Sequence, residues 1–307
     1  MPLRLAIGTS DFRKLRESGA YYIDKTSFIR EILDAPAEVI LLPRPRRFGK
    51  TMNLSMLRAY LERREPGDDD LAPLFAGLSI ASADPEVRAH QQRYPVVHLN
   101  LKGVKASTFD DACKALGRVL AVELERHAPL VLADPRLLPT ERHRYEALMA
   151  SAGAPVDLWD ALALLTRLLH RATRERALVL IDEYDVPLQA GFTHGYLDEV
   201  TGLMRNLLTG GLKDNPHLFR GVLTGVLRVA REGIFSGPRR PFLSIGTPWR
   251  RCSPGVAQGS PCHTARRALL APRSARGAPG PRSLGATSGL LRTGRSSARR
   301  SSQPAGR

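Results

Sequence analysis

The chain has 307 residues, a formal net charge of +16 and three cysteines. That length suits one large domain with a substantial core. No run approaches 18 apolar residues and no N-terminal stretch has a signal-peptide core, so the sequence reads as neither membrane-spanning nor exported. Cys113, Cys252 and Cys262 lack metal-like spacing, and so few thiols suit a reducing, cytoplasmic compartment.

In chain order, helices are expected over roughly 10–34, with Ser10 or Asp11 as a cap and Asp24 opening the second. A buried strand follows at 38–42 and runs into the basic loop PRPRRFGKT. A strand, a turn and a helix whose N-terminus faces an anion is how a phosphate-binding loop is built. Gly49 has no Cβ, so backbone N–H groups can close around phosphate oxygens. Lys50 is a point charge suited to the β- and γ-phosphates, and the Thr51 hydroxyl suits Mg²⁺. The first glycine of the usual G-x-x-x-x-G-K-[ST] pattern would fall at 44, where the chain has Arg44 followed by Pro45. The loop therefore opens differently, with Arg46, Arg47 and Phe48 completing the phosphate surround. The plainer alternative is a G-K-T that merely starts a helix. Apolar residues at helical spacing predict that helix from about Lys50 to Arg63.

Residues 64–94 read as a polar connection with a short helix near 71–76. PVVHLNL (95–101) alternates as a strand nearer an edge, and an amphipathic helix spans Thr108 to His127. Residues 129–156 read as irregular or as a lid-like insertion, and Asp157 to Arg174 as a helix. Residues 177–183, ALVLIDE, are a continuous apolar run ending in two carboxylates, the pattern of a strand buried on both faces. Charges at its C-terminal end emerge where open α/β sheets bind ligands. Asp182 would hold a hydrated Mg²⁺ and Glu183 would orient or deprotonate water, with Asp185 a weaker candidate nearby. An ordinary acidic turn is the alternative. A helix is expected at about 196–210 and a strand at 218–224. Thr224 at that strand's tip could sense a γ-phosphate, and Arg228 or Arg231 could neutralise its charge. Strands alternating with helices call for a parallel sheet with right-handed crossovers.

Composition changes at Pro238. The last 70 residues hold 14 arginines, 9 prolines and 9 glycines but no Asp, Glu or Lys, which leaves 32 basic against 30 acidic residues before them. Such a composition cannot bury enough apolar surface to offset chain entropy, so disorder is expected. One reading is a basic arm that binds nucleic acid through phosphates. The other is a reading frame that slipped near Gly237 in a GC-rich gene, in which case the charge says nothing about partners.

Four segments together, YYIDKTSFIREIL (21–33), LLPRPRRFGKTMNLSML (41–57), LIDEYDVPL (180–188) and LTGVLRVAREGIFSG (223–237), resemble the bacterial AAA-ATPase-like family. That family's phosphate loop reads RPRRFGK[ST], without the first glycine. The resemblance covers about Leu5 to Gly237, so the domain boundaries expected are 5–237 and 238–307. It implies a P-loop NTPase three-layer α/β sandwich with a mostly parallel sheet of the additional-strand type. It also implies ATP and Mg²⁺ binding, with Lys50, Thr51, Asp182 and Glu183 at the matching positions. The family's YxDKT box maps to Tyr22, Asp24, Lys25 and Thr26, for which an adenine-side or helix-capping role is expected. Leu227 stands where the family has serine, and the family's usual continuation, often into a PD-(D/E)XK nuclease-like domain, does not follow the FSG box here. The expected activity is slow ATP hydrolysis as a conformational switch, against an ATP sensor that hardly turns over or a truncated fragment. A homo-oligomer stays open, because no arginine finger acting in trans can be assigned from one chain.

Overall fold

A computed structural model of the chain describes residues 8–45, 47–150, 155–226 and 243–244. Two short helices come first, α1 (Phe12–Glu17) and α2 (Ser27–Leu33). Asp11 caps α1 by accepting from Lys14 N at 3.0 Å, and Phe12 N donates to Ser55 Oγ at 3.0 Å, which seats α1 on the next long helix. Strand β1 (Val39–Pro43) then leads through the basic loop into α3 (Lys50–Leu61). Short 3-10 turns at Ala72–Phe75 and Ser79–Ser82 and the single-turn helix α4 (Pro85–Arg88) carry the chain to β2 (Val96–Asn100). There follow α5 (Phe109–Leu132), α6 (Pro139–Met149), α7 (Pro155–Leu158), α8 (Ala161–Thr173) and β3 (Ala177–Asp182). Then come α9 (Val186–His194), α10 (Leu197–Leu212), β4 (Leu218–Gly225) and the two-residue β5 (Leu243–Ser244).

All the strand pairings are parallel, in the order β2-β3-β4-β1-β5. Strand β4 therefore intervenes between the strand that feeds the basic loop and the strand that ends in the acids. Side chains alternate across the pleat. Ile40, Leu42, Leu178, Leu180 and Val222 pack with α2 and α3 on one face. Leu41, Val97, Leu99, Val179, Ile181 and Leu223 pack with α5, α8 and α10 on the other. Every residue of β3 is buried, which is why its sequence is an unbroken apolar run. β2 occupies an edge, as its alternating pattern suggests.

Three expectations need correction. Helix α5 runs on past Pro129 to Leu132, because buried Leu124, His127 and Val131 continue its apolar stripe. The stretch expected to be irregular holds α6, a polar helix docked through two buried residues, Tyr145 and Leu148. The Tyr145 hydroxyl donates to Leu124 O at 2.7 Å and fastens α6 to α5. One helix was expected after the acidic strand; there are two, separated by Gly195 at φ +83°. Beyond Pro238, Leu243 and Ser244 pair in parallel with Ile40 and Leu41 of β1. The chain divides into two units, Met1–Trp249 and Arg250–Arg307, and the second lies wholly outside the described residues.

Candidate functional site

Parallel strands deliver their C-terminal ends to one edge of a sheet. The register sets Pro43 beside Gly225 and Ile181 beside Leu223, so the next residues, Asp182 and Thr224, meet across β3 and β4. The Asp182 carboxylate is 1% exposed and holds two hydroxyls. Thr51 Oγ1, in the first turn of α3, donates to Asp182 Oδ2 at 2.6 Å. Thr224 Oγ1, fully buried, donates to Asp182 Oδ1 through a short hydrogen bond. One carboxylate thus ties the basic loop, the acidic strand and the strand between them.

The loop is shaped by backbone geometry. Arg47 has φ +67° and Gly49, at the N-cap of α3, has φ +72°. The loop's other end is fixed by Arg44 N, which donates to Gly225 O at 2.9 Å. Lys50 Nζ donates to Arg44 O at 2.8 Å, so its ammonium lies along the loop. Phe48 is 58% exposed, and Arg46 lies outside the described residues. Burial lowers the pKa of Arg44, opposed by Glu31 on α2.

Behind Asp182 the chain turns sharply. Glu183 has φ +55°, in the left-handed region that a side chain other than glycine adopts at a cost. Its carboxylate makes no hydrogen bond or ion pair among the described residues and is partly exposed at the sheet edge. Asp185 is buried and accepts from Val226 N at 3.0 Å and Gln189 Nε2 at 2.7 Å. Its role is to hold the end of β4, behind the site. Gly225 admits no side chain: a Cβ there would lie 2.6 Å from Tyr184 Cε1 and 2.7 Å from Asp185 Oδ1. Neither this cradle nor Gln189 carries a local sequence signal, because each arises where β4 meets the turn after β3. Arg228 and Arg231 lie outside the described residues.

The YxDKT box splits in two. Asp24 accepts from Thr26 N at 2.8 Å, Thr26 Oγ1 at 2.7 Å, Ser79 N at 2.7 Å and Ser79 Oγ at 2.5 Å. Burial alone would raise its pKa, but these hydrogen bonds prevail and hold it below the usual carboxylate range. Asp24 thus orders the start of α2, while Thr26 occupies the N-cap position. Lys25 reaches the loop, with its Nζ 3.8 Å from where a Gly49 Cβ would stand. Tyr22 donates to Met56 Sδ of α3 at 3.1 Å, and burial pushes its phenol up to about 12.

A hydroxyl and a buried carboxylate 2.6 Å apart suit a hard cation that keeps most of its water and takes few protein ligands. Among the described residues no three His, Cys, Asp or Glu side chains converge to cage a metal. The Thr51 and Asp182 donor set fits Mg²⁺ bound through few protein ligands.

Fold and site define an α/β protein with a basic loop and a carboxylate pair at one edge of a parallel sheet. The profile described as "Predicted AAA-ATPase" matches residues 6–235, and the chain belongs to this AAA-ATPase-like family. Membership suggests nucleotide binding. The chain is also 28% identical over 236 residues to an uncharacterized protein in the vnfD 5′ region of Azotobacter chroococcum mcd 1. That match covers 76% of this chain but only 39% of the relative. No solved structure matches. No helix among the described residues is long and apolar enough to cross a membrane.

Proposed function

We propose that the protein binds ATP with magnesium in a P-loop NTPase fold of the additional-strand type and hydrolyses it slowly, as a conformational switch. The observation that supports this best is the shared Asp182 carboxylate, hydrogen-bonded at once to Thr51 after the basic loop and to Thr224 at the tip of the intervening strand. Lys50 and the loop N–H groups near Gly49 hold the phosphates. Thr51 and Asp182 hold the magnesium, whose chemistry when bound is to neutralise charge on the β- and γ-phosphoryl oxygens. Glu183 accepts a proton from the attacking water as its oxygen bonds to the γ-phosphorus and the bond to the bridging oxygen of ADP breaks. Thr224, whose single hydroxyl proton rests on Asp182 without nucleotide, turns it to the γ-phosphate when ATP is bound and so reports the nucleotide to β4.

The test is phosphate release under single-turnover conditions. Wild type should release phosphate with magnesium present, and Glu183→Gln should slow release by about 10²-fold or more while keeping ATP affinity. ATP binding with no Glu183-dependent release would leave a non-hydrolysing sensor. Absence of ATP binding in wild type would sink the reading altogether.

A further inference from the structure

We infer that Lys25 is a second phosphate-contacting cation of this site, delivered by the N-terminal segment; the inference rests on the ATP reading above and moves this residue from the adenine side to the phosphate side.

The Gly49 backbone closes the basic loop and caps α3, where N–H groups without helical partners can receive an anion. A Cβ built on Gly49 has Lys25 Nζ as its nearest neighbour, at 3.8 Å. Since Cβ is one bond from Cα, the ammonium lies against the glycine backbone. Lys50 adjoins Gly49 in sequence and Lys25 adjoins it in space. An oxygen chain that accepts from the Gly49 N–H is therefore within reach of both lysines.

The flanking residues show why Lys25 stays there. On one side Tyr22 is tied to α3 through Met56. On the other, Thr26 is fully buried, donates to Asp24 and accepts from Ile80 N at 3.1 Å. Asp24 is in turn fixed by both donors of Ser79. The Lys25 backbone is thus anchored to α3 and to the 79–82 turn, so only side-chain freedom is left to be lost when its ammonium meets an anion. An adenine-side residue would instead need a planar face or a paired donor and acceptor for the base, which an ammonium does not supply.

The test is competitive titration of a fluorescent ATP analogue with ATP and with ITP, whose base differs while its triphosphate does not. Lys25→Met should weaken both nucleotides by about 10-fold or more, the usual scale of a charge-assisted hydrogen bond, and leave their ratio unchanged. Lys25→Arg should recover most of that loss, which separates the charge from any folding defect. Wild-type affinity in Lys25→Met, or a loss confined to ATP, overturns the inference. Lys50→Met separates the two readings: a wild type whose ATP binding depends on Lys50 but not on Lys25 rejects the second cation alone. A wild type that binds neither nucleotide rejects both.

Discussion

Asp182 is an acid taken out of water, and its two hydroxyl partners make that tolerable. A buried carboxylate oxygen without a donor carries its full desolvation penalty. Thr224→Val keeps the volume and removes the donor to Oδ1, so the nucleotide-free protein should lose about 1–3 kcal/mol. Thr224→Ser should lose much less. Urea unfolding of the two variants checks this, and a Val variant as stable as wild type would mean that this hydroxyl does not hold Asp182. The neighbouring glycine illustrates a different kind of residue. Gly225 has no positive φ, yet Tyr184 and Asp185 fill the space where its side chain would be. Its carbonyl continues the β1–β4 ladder by accepting from Arg44 N, and so couples β4 to the basic loop.

The helical hairpin of α9 and α10 shows how far local pattern carries an element. Gly191 sits inside α9, and a Cβ there would meet Val200 Cγ1 at 2.5 Å and Leu197 Cα at 3.1 Å. Alanine gains about 1 kcal/mol in helix propensity over glycine. Contact with a branched side chain and a backbone atom outweighs that gain, so Gly191→Ala should destabilise by about 1–3 kcal/mol. Adding Val200→Ala should return part of the loss in a thermal melt; an alanine variant more stable than wild type would show that the hairpin opens freely. The close crossing at Gly191 could not be read from sequence, because it depends on residues that meet only after the chain turns at Gly195. Pro187 in the first turn of α9 was a readable start signal that the acidic turn before it obscured. Helix α6 was illegible for another reason: PTERHRYEALM has almost no apolar stripe, and two buried side chains suffice to dock it. The strands were legible because a sheet covered on both faces demands unbroken apolar runs, as in ALVLID. Two such runs ending in Gly-Lys-Thr and Asp-Glu foretell that these residues share an edge once the strands are parallel. The hydroxyl of Thr224 belongs to that inference too. The position of Lys25 does not, since no periodicity relates residue 25 to residue 49.

Across the whole molecule, the helical layers on the two faces of the sheet are joined at its β2 edge by a charged network. Arg126 of α5 donates to Glu62 Oε1 at 2.6 Å, to Glu123 Oε1 at 2.5 Å and to Val96 O through a short contact. Glu62, just past α3, also accepts from Arg58 Nε at 2.8 Å. Glu123 accepts in addition from His98 N of β2 at 2.7 Å. The network therefore spans from α3 on one face to α5 on the other and pins the edge strand between them. Burial pushes the Glu123 carboxyl up, but hydrogen bonds and charge from His127 and Arg126 together prevail and bring it down to about 2. A carboxylate whose pKa is depressed on folding stabilises the protein above its unfolded pKa, and that contribution is lost as pH falls through the folded value. The window here runs from about 4.5 down to about 2. On the linkage scale the contribution at neutral pH is about 3 kcal/mol. Glu123→Gln removes the titration while keeping a similar shape and an acceptor for His98 N. Urea midpoints should then separate the variant from wild type at pH 7, and the gap should narrow steadily on acidification. A gap of constant size from pH 7 to pH 3 would mean that Glu123 contributes packing alone, and that the two faces are held together by their apolar cores without this ionic tie.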